Sequence, residues 1–303
     1  MMNNKLVKRS FGSWLFDIGN ILFMVLIMFI MLYPFWNTMV VSFNDARDSI
    51  RGGLYFWPRI ITINNYAIIF NNETLFTAFG VSVARTVLTT IFNVLFSAMF
   101  AYVLSRKEFM FNKFLTVYMV LTMYISAGLI PQYFLYKDLK LINNFWVYVL
   151  PSLYGAFNVI VIRTYMNTLP DSLAESAKID GANEMTIFFR ILLPLCTPVL
   201  ATVALWVAVG SWNSWFDTFI FAPARQNLST LQYEMMKILS SSMVQGSTQP
   251  DYLSMQQQGS SNMVTPNSLR AAMTVVTAMP ILIVYPFMQK YFVQGLHIGS
   301  VKG

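Results

Sequence analysis

Apolar residues in this chain run in long unbroken blocks rather than alternating or recurring every third or fourth position. Six blocks stand out, near 14–43, 76–104, 114–135, 145–166, 198–221 and 269–291. A helix needs about 20 mainly apolar residues to cross a bilayer. Lipid offers no partner for an unpaired backbone group, so each block is predicted to cross as a helix. Trp14, Trp36, Trp57 and Trp146 stand near block ends, where amphipathic rings favour the interface. The first block outruns the short apolar core of a signal peptide, and no cleavage pattern follows it, so it reads as retained.

The polar intervals are uneven, and three are long. Residues 44–75 mix aromatic and polar positions and are too broken to span; residues 223–266 are rich in Ser, Gln and Met. Within the second, Leu231 to Leu239 has the pattern of a short amphipathic helix. Loops of this length are usually functional or disordered. The third interval, 171–198, is polar yet helix-forming. Pro170 suits a first turn, with Thr168 or Ser172 as a cap, and Leu173, Ala174 and Ala177 form a small apolar face that another surface can approach closely. Gly181 is placed to stop that helix, Asn183 to cap a second one, and Pro194 to end it. Ser172 and Glu175 also form a capping box that needs no external partner.

Composition supports the membrane reading. Hydrophobic residues make up 56% and charged residues 11%, against roughly 45–50% and about 25% in soluble domains. The formal charge of +7 fits interfacial and loop cations rather than a nucleic-acid footprint, because no basic stripe with interleaved aromatics occurs. Lys5, Lys8, Arg9, Arg106, Lys107 and Lys113 favour a cytoplasmic N-terminus, although Arg47, Arg51 and Arg59 on the other side weaken the bias. The single Cys196 forms no intrachain disulfide. No metal-ligand spacing, nucleophile elbow or phosphate-binding glycine loop is present, and His297 reads as packing.

Polar side chains inside apolar blocks are expensive and default to functional candidates. Here they are Arg85, Asn93, Tyr124, Asn158, Trp212, Asn213, Trp215 and Asp217. Aromatic walls with a few amides and carboxylates suit a sugar, and Trp212, Trp215 and Phe216 are spaced to share a helix face. The alternative is structural packing, with Asp217 at the headgroup level. Arg85 either snorkels outward or faces the pathway as a counter-charge to an acidic sugar.

Glu175-Ser176-Ala177, Asp180-Gly181-Ala182 and Ile191-Leu192-Leu193-Pro194 resemble the coupling-loop signature of permease subunits of ATP-binding-cassette importers. Tyr33-Pro34, Phe56-Trp57-Pro58, Asn65-Tyr66, Leu104-Ser105-Arg106 and the tail Gly295 to Gly303 are similar to maltose-type sugar permeases. Ser126-Ala127-Gly128 with Pro131, Asn158 and Arg163 resemble permeases for complex oligosaccharides such as alginate, pectin or xylan fragments. Val81-Ser82 stands where many sugar permeases carry Asn-Ser.

The resemblance implies an all-α polytopic membrane protein of the type I importer permease fold, six helices with a cytoplasmic coupling helix. It implies an N-terminal tail over 1–13, a permease domain over 14–293 and a C-terminal tail over 294–303, with both termini cytoplasmic in a bacterial membrane. Leu173, Ala174, Glu175, Ala177, Asp180, Gly181 and Ala182 become the ATPase-coupling residues, and Gly299, Lys302 and Gly303 reach the same interface, with the tail extended. The implied partners are a second, different permease, a dimeric ATPase carrying ATP and Mg, an external solute-binding protein, membrane lipid and an oligosaccharide. No cofactor is held by this chain. The rivals are an ion-coupled secondary sugar transporter, which needs intramembrane relays, and a membrane enzyme, which needs a clustered catalytic site; neither accounts for 171–198.

Overall fold

The computed structural model describes residues 11–245 and 265–298. Gly299, Lys302 and Gly303 lie outside the described residues, as do 1–10 and 246–264. The described residues hold no strand, only an isolated bridge between Asn44 and Ile61. The chain divides into two compact units, 1–69 with 244–275, and 70–243 with 276–303.

The first unit is built on α1 (Phe11–Ser42), a helix whose side chains are largely exposed, as a lipid-facing helix requires. After it the 44–75 interval folds into α2 (Ala46–Ile50) and α3 (Asn64–Phe70) around buried amides. Asn44 Nδ2 donates to Asp48 Oδ2 at 3.0 Å, and its Oδ1 accepts from Ile60 N at 3.0 Å. Asn65 Nδ2 donates to the carbonyls of Ser42 and Asn44. Trp36 Nε1 donates to Phe56 O at 2.8 Å, so the aromatic chain after α2 lies back along α1.

The second unit centres on α4 (Glu73–Ser105), which Asn72 starts by accepting from Thr74 N and Leu75 N. It is followed by α5 (Asn112–Tyr124), α6 (Leu129–Asp138), 3-10 turns over Phe145–Tyr148 and Leu150–Ser152, α7 (Ala156–Met166) and α8 (Ser172–Ile179). Then come α9 (Glu184–Thr186), a π-turn at Ile187–Leu192, α10 (Leu193–Leu195), α11 (Thr197–Asn213), α12 (Phe216–Phe221) and α13 (Leu231–Gln245). The amphipathic segment foreseen at 231–239 is the start of α13. A core of Ala98, Ala101, Val159, Ile162, Phe188 and Val203 packs α4, α7 and α11 together. Small residues on α4 let the neighbouring backbones approach. The last helix, α14 (Pro266–Ile298), carries Pro280 and Pro286 and includes Gly295, so the part of the tail expected to be extended is helical up to Ile298.

Three helices are long and apolar enough to cross a membrane alone: Gly12–Ser42, Glu73–Ser105 and Asn267–Phe287. The other three predicted spans are not single helices. Asn112–Tyr124 and Leu129–Asp138 meet at 113°, and Gly128 at the break has φ +84°. Phe145–Ser152 meets Ala156–Met166 at 43°, just after Pro151 and at Gly155. The fifth predicted span breaks at Ser214, whose ψ of 127° leaves the helical region between α11 and α12. The bent pair that completes the count is Glu184–Leu195 with Thr197–Asn213, and counting each bent pair as one span gives up to six. Such breaks at membrane depth need partners for the freed backbone groups.

Candidate functional site

The 171–198 elbow forms from its own sequence, with two corrections at its edges. Ser172 is the first residue of α8 rather than its cap; Asp171 stands at the cap position with no side-chain bond to the helix, and Thr168 Oγ1 donates backward to Tyr165 O. The capping box is therefore not made. Pro194 does not end the second helix. A π-turn at Ile187–Leu192 precedes it, and Pro194 occupies the first turn of α10, where its missing N–H is no loss. That helical stretch, Glu184–Leu195, meets α11 at 80°.

The stop at Gly181 is as expected. Gly181 has φ +81°, its N donates to Lys178 O at 3.0 Å, and Ala182 N donates to Ala177 O at 2.9 Å. These paired bonds satisfy the last carbonyls of α8 and leave Asp180 and Gly181 at an exposed tip. Asn183 Oδ1 accepts from Thr186 N at 2.8 Å, capping α9.

Burial divides α8 differently from the sequence reading. Ala174 and Ala177, expected to receive an outside surface, are 4% and 8% exposed and pack into the chain's own core. Leu173, Glu175, Ile179 and Asp180 face outward, Ile179 with 86% exposure. An isoleucine that open, beside a glycine tip, is the sort of anchor an interface uses, and sequence periodicity did not select it. Lys178 pairs with Glu184 at 2.9 Å and Glu108 at 3.6 Å. At the other end of α8, Lys107 pairs with Asp171 at 2.8 Å. The hydrogen bond from Lys107 holds the Asp171 carboxyl below its ordinary value, and the bond to Glu184 raises the Lys178 ammonium above its own.

Two of the intramembrane polar candidates, Arg85 and Asn93, belong to a longer polar stripe on α4. Ser82, Arg85, Thr89, Asn93 and Ser97 recur every three or four positions and are all buried, so they form one stripe. Each meets a place where another segment is interrupted. Ser82 Oγ accepts from Leu231 N at 2.8 Å, at the start of α13. Arg85 forms an ion pair with Asp217, donates to Ser214 O at 3.1 Å, and lies over the Tyr148 ring at 4.7 Å. Thr89 Oγ1 donates to Tyr148 O, and Asn93 Nδ2 donates to Ser152 O at 2.7 Å. Asn158 Nδ2 donates to Asn93 Oδ1 at 2.9 Å. The stripe thus supplies partners at the breaks of the fourth and fifth predicted spans and at the start of α13.

This placement revises several candidates. Arg85 does not snorkel; its guanidinium is buried and its charge is matched by Asp217, which also accepts from Ser214 Oγ and Thr218 N. Trp212, Trp215 and Phe216 do not share a face, because the helix breaks between them. Trp212 is buried, with Nε1 donating to Thr277 O at 2.9 Å, while Trp215 packs on Phe216 and Phe219. Asn213 is exposed and accepts from Gln232 Nε2; Tyr124 is 81% exposed. Sequence reading missed Ser82, Thr89 and Ser97, although their spacing with Arg85 and Asn93 was a visible signal. Among the described residues no group of three His, Cys, Asp or Glu could hold a metal.

A family model described as the binding-protein-dependent transport system inner membrane component matches residues 75–298. The polygalacturonan/rhamnogalacturonan transport system permease protein YtcP of Bacillus subtilis (strain 168) is 33% identical over 95% of this chain and 99% of its own length. The arabinooligosaccharides transport system permease protein AraQ of Halalkalibacterium halodurans is 31% identical over 96% of this chain and 97% of its own length. A crystal structure of a bacterial transporter that imports the acidic polysaccharide alginate superposes with a TM-score of 0.82 at 25% identity, covering 94% of this chain and 99% of the matched one.

Proposed function

We propose, for a chain that belongs to the family of inner membrane components of binding-protein-dependent transport systems, that helix α8 is the seat through which an ATPase drives transport. The chain is the non-catalytic permease subunit of an ATP-binding-cassette importer of oligosaccharides in the inner membrane. It works with a second permease, a separate ATPase and a periplasmic solute-binding protein. In our reading the ATPase is a dimer carrying ATP and Mg, and α8 and both termini face the cytoplasm. Closure of that dimer pushes on Leu173, Glu175, Ile179, Asp180 and Gly181, while Ala174 and Ala177 hold α8 to the bundle so that the push reaches α7 and α11. Such rigid-body switching between packed states gives alternating access.

The observation that carries this reading is the two-sidedness of α8: alanines buried in its own chain, and a fully formed C-terminal turn presenting Ile179 at 86% exposure. Acidic polysaccharide fragments are the proposed cargo, supported by relatives and a structural neighbour named for polygalacturonan and alginate. Arg85 is not their counter-charge, since Asp217 already holds it. Tyr124, Asn213 and Trp215 keep surface free to line the pathway. The test is affinity purification from membranes of wild type, Ile179→Asp and Glu175→Lys, with ATPase and uptake assays. The ATPase should co-purify with wild type and be depleted from both variants; undiminished ATPase and uptake in Ile179→Asp would sink the assignment.

A further inference from the structure

A polar cavity of about 320 Å³ lies beside the start of α8, walled by the end of α4, the start of α5, the end of α7 and Pro170-Asp171. Its charged lining is Arg106, Lys107 and Arg163 against one carboxylate, Asp171, which Lys107 already engages at 2.8 Å. Arg163 is aimed by Asn112 Oδ1 at 2.8 Å and Thr116 Oγ1 at 2.9 Å, and Arg106 lies over the Tyr102 ring at 4.4 Å. Nε and Nη2 of Arg106 and Nε of Arg163 are buried without a hydrogen-bond partner. Unsatisfied donors on buried cations are costly, so two guanidinium groups lining one polar cavity favour an anionic acceptor there. Phosphate oxygens are the acceptors guanidinium groups fit best.

The same corner of the bundle also holds an apolar groove of about 490 Å³, lined by Val103, Leu104, Leu115, Tyr118 and Met119. Asn112 belongs to the cavity, while Leu115 and Met119 belong to the groove. At positions i, i+3 and i+7 they share one face of α5. That face therefore begins in cationic surroundings and continues into apolar ones within two turns.

We propose that this cavity binds the phosphate of an anionic phospholipid headgroup, with an acyl chain lying in the adjoining groove. Free phosphate would satisfy the cations but leave the groove without a role, and a zwitterionic lipid would bring its own cation against three others. The site stands on the cavity itself and does not depend on which partner sits on α8. A phospholipid here would brace α4, α5 and α7 beside the coupling helix, making transport sensitive to the anionic fraction of the membrane.

The experiment is native mass spectrometry of the assembled transporter released from nanodiscs of phosphatidylcholine with or without phosphatidylglycerol. Wild type should retain phosphatidylglycerol in preference to phosphatidylcholine, and Arg106→Gln with Lys107→Gln should lower that retention about tenfold. Arg106→Lys should keep most of it, and Lys137→Gln with Lys140→Gln, outside the cavity, should change nothing. A parallel titration with inorganic phosphate separates the sources: if phosphate alone binds saturably and displaces the lipid, the lipid assignment is overturned in favour of a soluble anion. Equal retention of the two lipids by wild type, a comparison that needs no variant to fold, overturns the proposal. So does equal phosphatidylglycerol retention by wild type and the double variant.

Discussion

Arg85 carries a full charge into the interior of an apolar helix bundle, and what makes that tolerable is Asp217. The side chains are 5% and 25% exposed, so solvent screens the pair little. Removing one partner of such a pair typically costs about 3–5 kcal/mol, whereas replacing both by apolar residues of similar volume is often neutral. Asp217→Asn should therefore lower the thermal midpoint of the detergent-solubilised protein sharply, and Arg85→Met with Asp217→Leu should recover most of it. Equal losses in the two proteins would show that the pair is not acting as a unit. Asn93 and Thr90 give a matched contrast on the same helix. Asn93→Ala strands the Ser152 carbonyl and the Asn158 amide, a loss of about 1–3 kcal/mol. Thr90 Oγ1 has no partner to lose, so Thr90→Val should be neutral or stabilising in the same melting assay.

Among the elements, α8 is held by ion pairs at both ends, and their pH windows follow from the direction of each shift. Asp171 is lowered from 3.8, so its contribution is complete above that value and lost as pH falls through the lowered one. Lys178 is raised from 10.5, so its contribution is complete below that value and lost as pH rises through the raised one. Hydrogen exchange of the α8 amides should thus show no change in opening free energy across the neutral range, with loosening only at the extremes. These pairs are exposed and each is worth little, so a large change in protection between about pH 6 and about pH 9 would mean that other groups hold the helix. Gly181→Ala acts on the same element. At φ +81° a Cβ strains the backbone although space is open around it, costing about 1–2 kcal/mol and appearing as faster exchange over 173–182.

Legibility differed among elements for physical reasons. The Gly181 stop and Asn183 cap could be read directly, because each depends on a residue type with a local conformational role. The break at Gly128 had its signal too, but the apolar block around it masked the glycine. Ser214 had none: Trp212-Asn213-Ser214-Trp215 suits an amphipathic helix as well as a kink, and Arg85, distant in sequence, decides between them together with Asp217. The sidedness of Ala174 and Ala177 was equally invisible, because small residues serve a partner's surface or the chain's own core with the same chemistry.

For the whole molecule, the architecture of up to six crossings follows from apolar length and the family from the match over residues 75–298, while the working parts depend on how the interrupted crossings are held. Three of them are broken, and the buried stripe of α4 ties breaks in two crossings and the start of α13 to one rod. Transport by rocking of packed bodies needs this coherence, since segments that moved independently would leak rather than switch. Uptake should accordingly be more sensitive to Asn93→Ala than to apolar changes of similar size on the exposed side of α4, such as Val87→Ala. Equal uptake by these two variants, measured at matched expression, would argue that the stripe only aids folding.

The stripe also sets a rule for how this gene can drift. Its contacts lie at fixed intervals from Ser82 to Ser97, and each added or missing residue turns the rest of the helix by about 100°. A single-codon insertion or deletion between those positions would point the later polar groups at lipid and orphan several backbone groups at once. A point substitution in that stretch disturbs one or two of these contacts, whereas a change of length disturbs all that follow it, so related chains should differ there in spelling more than in spacing.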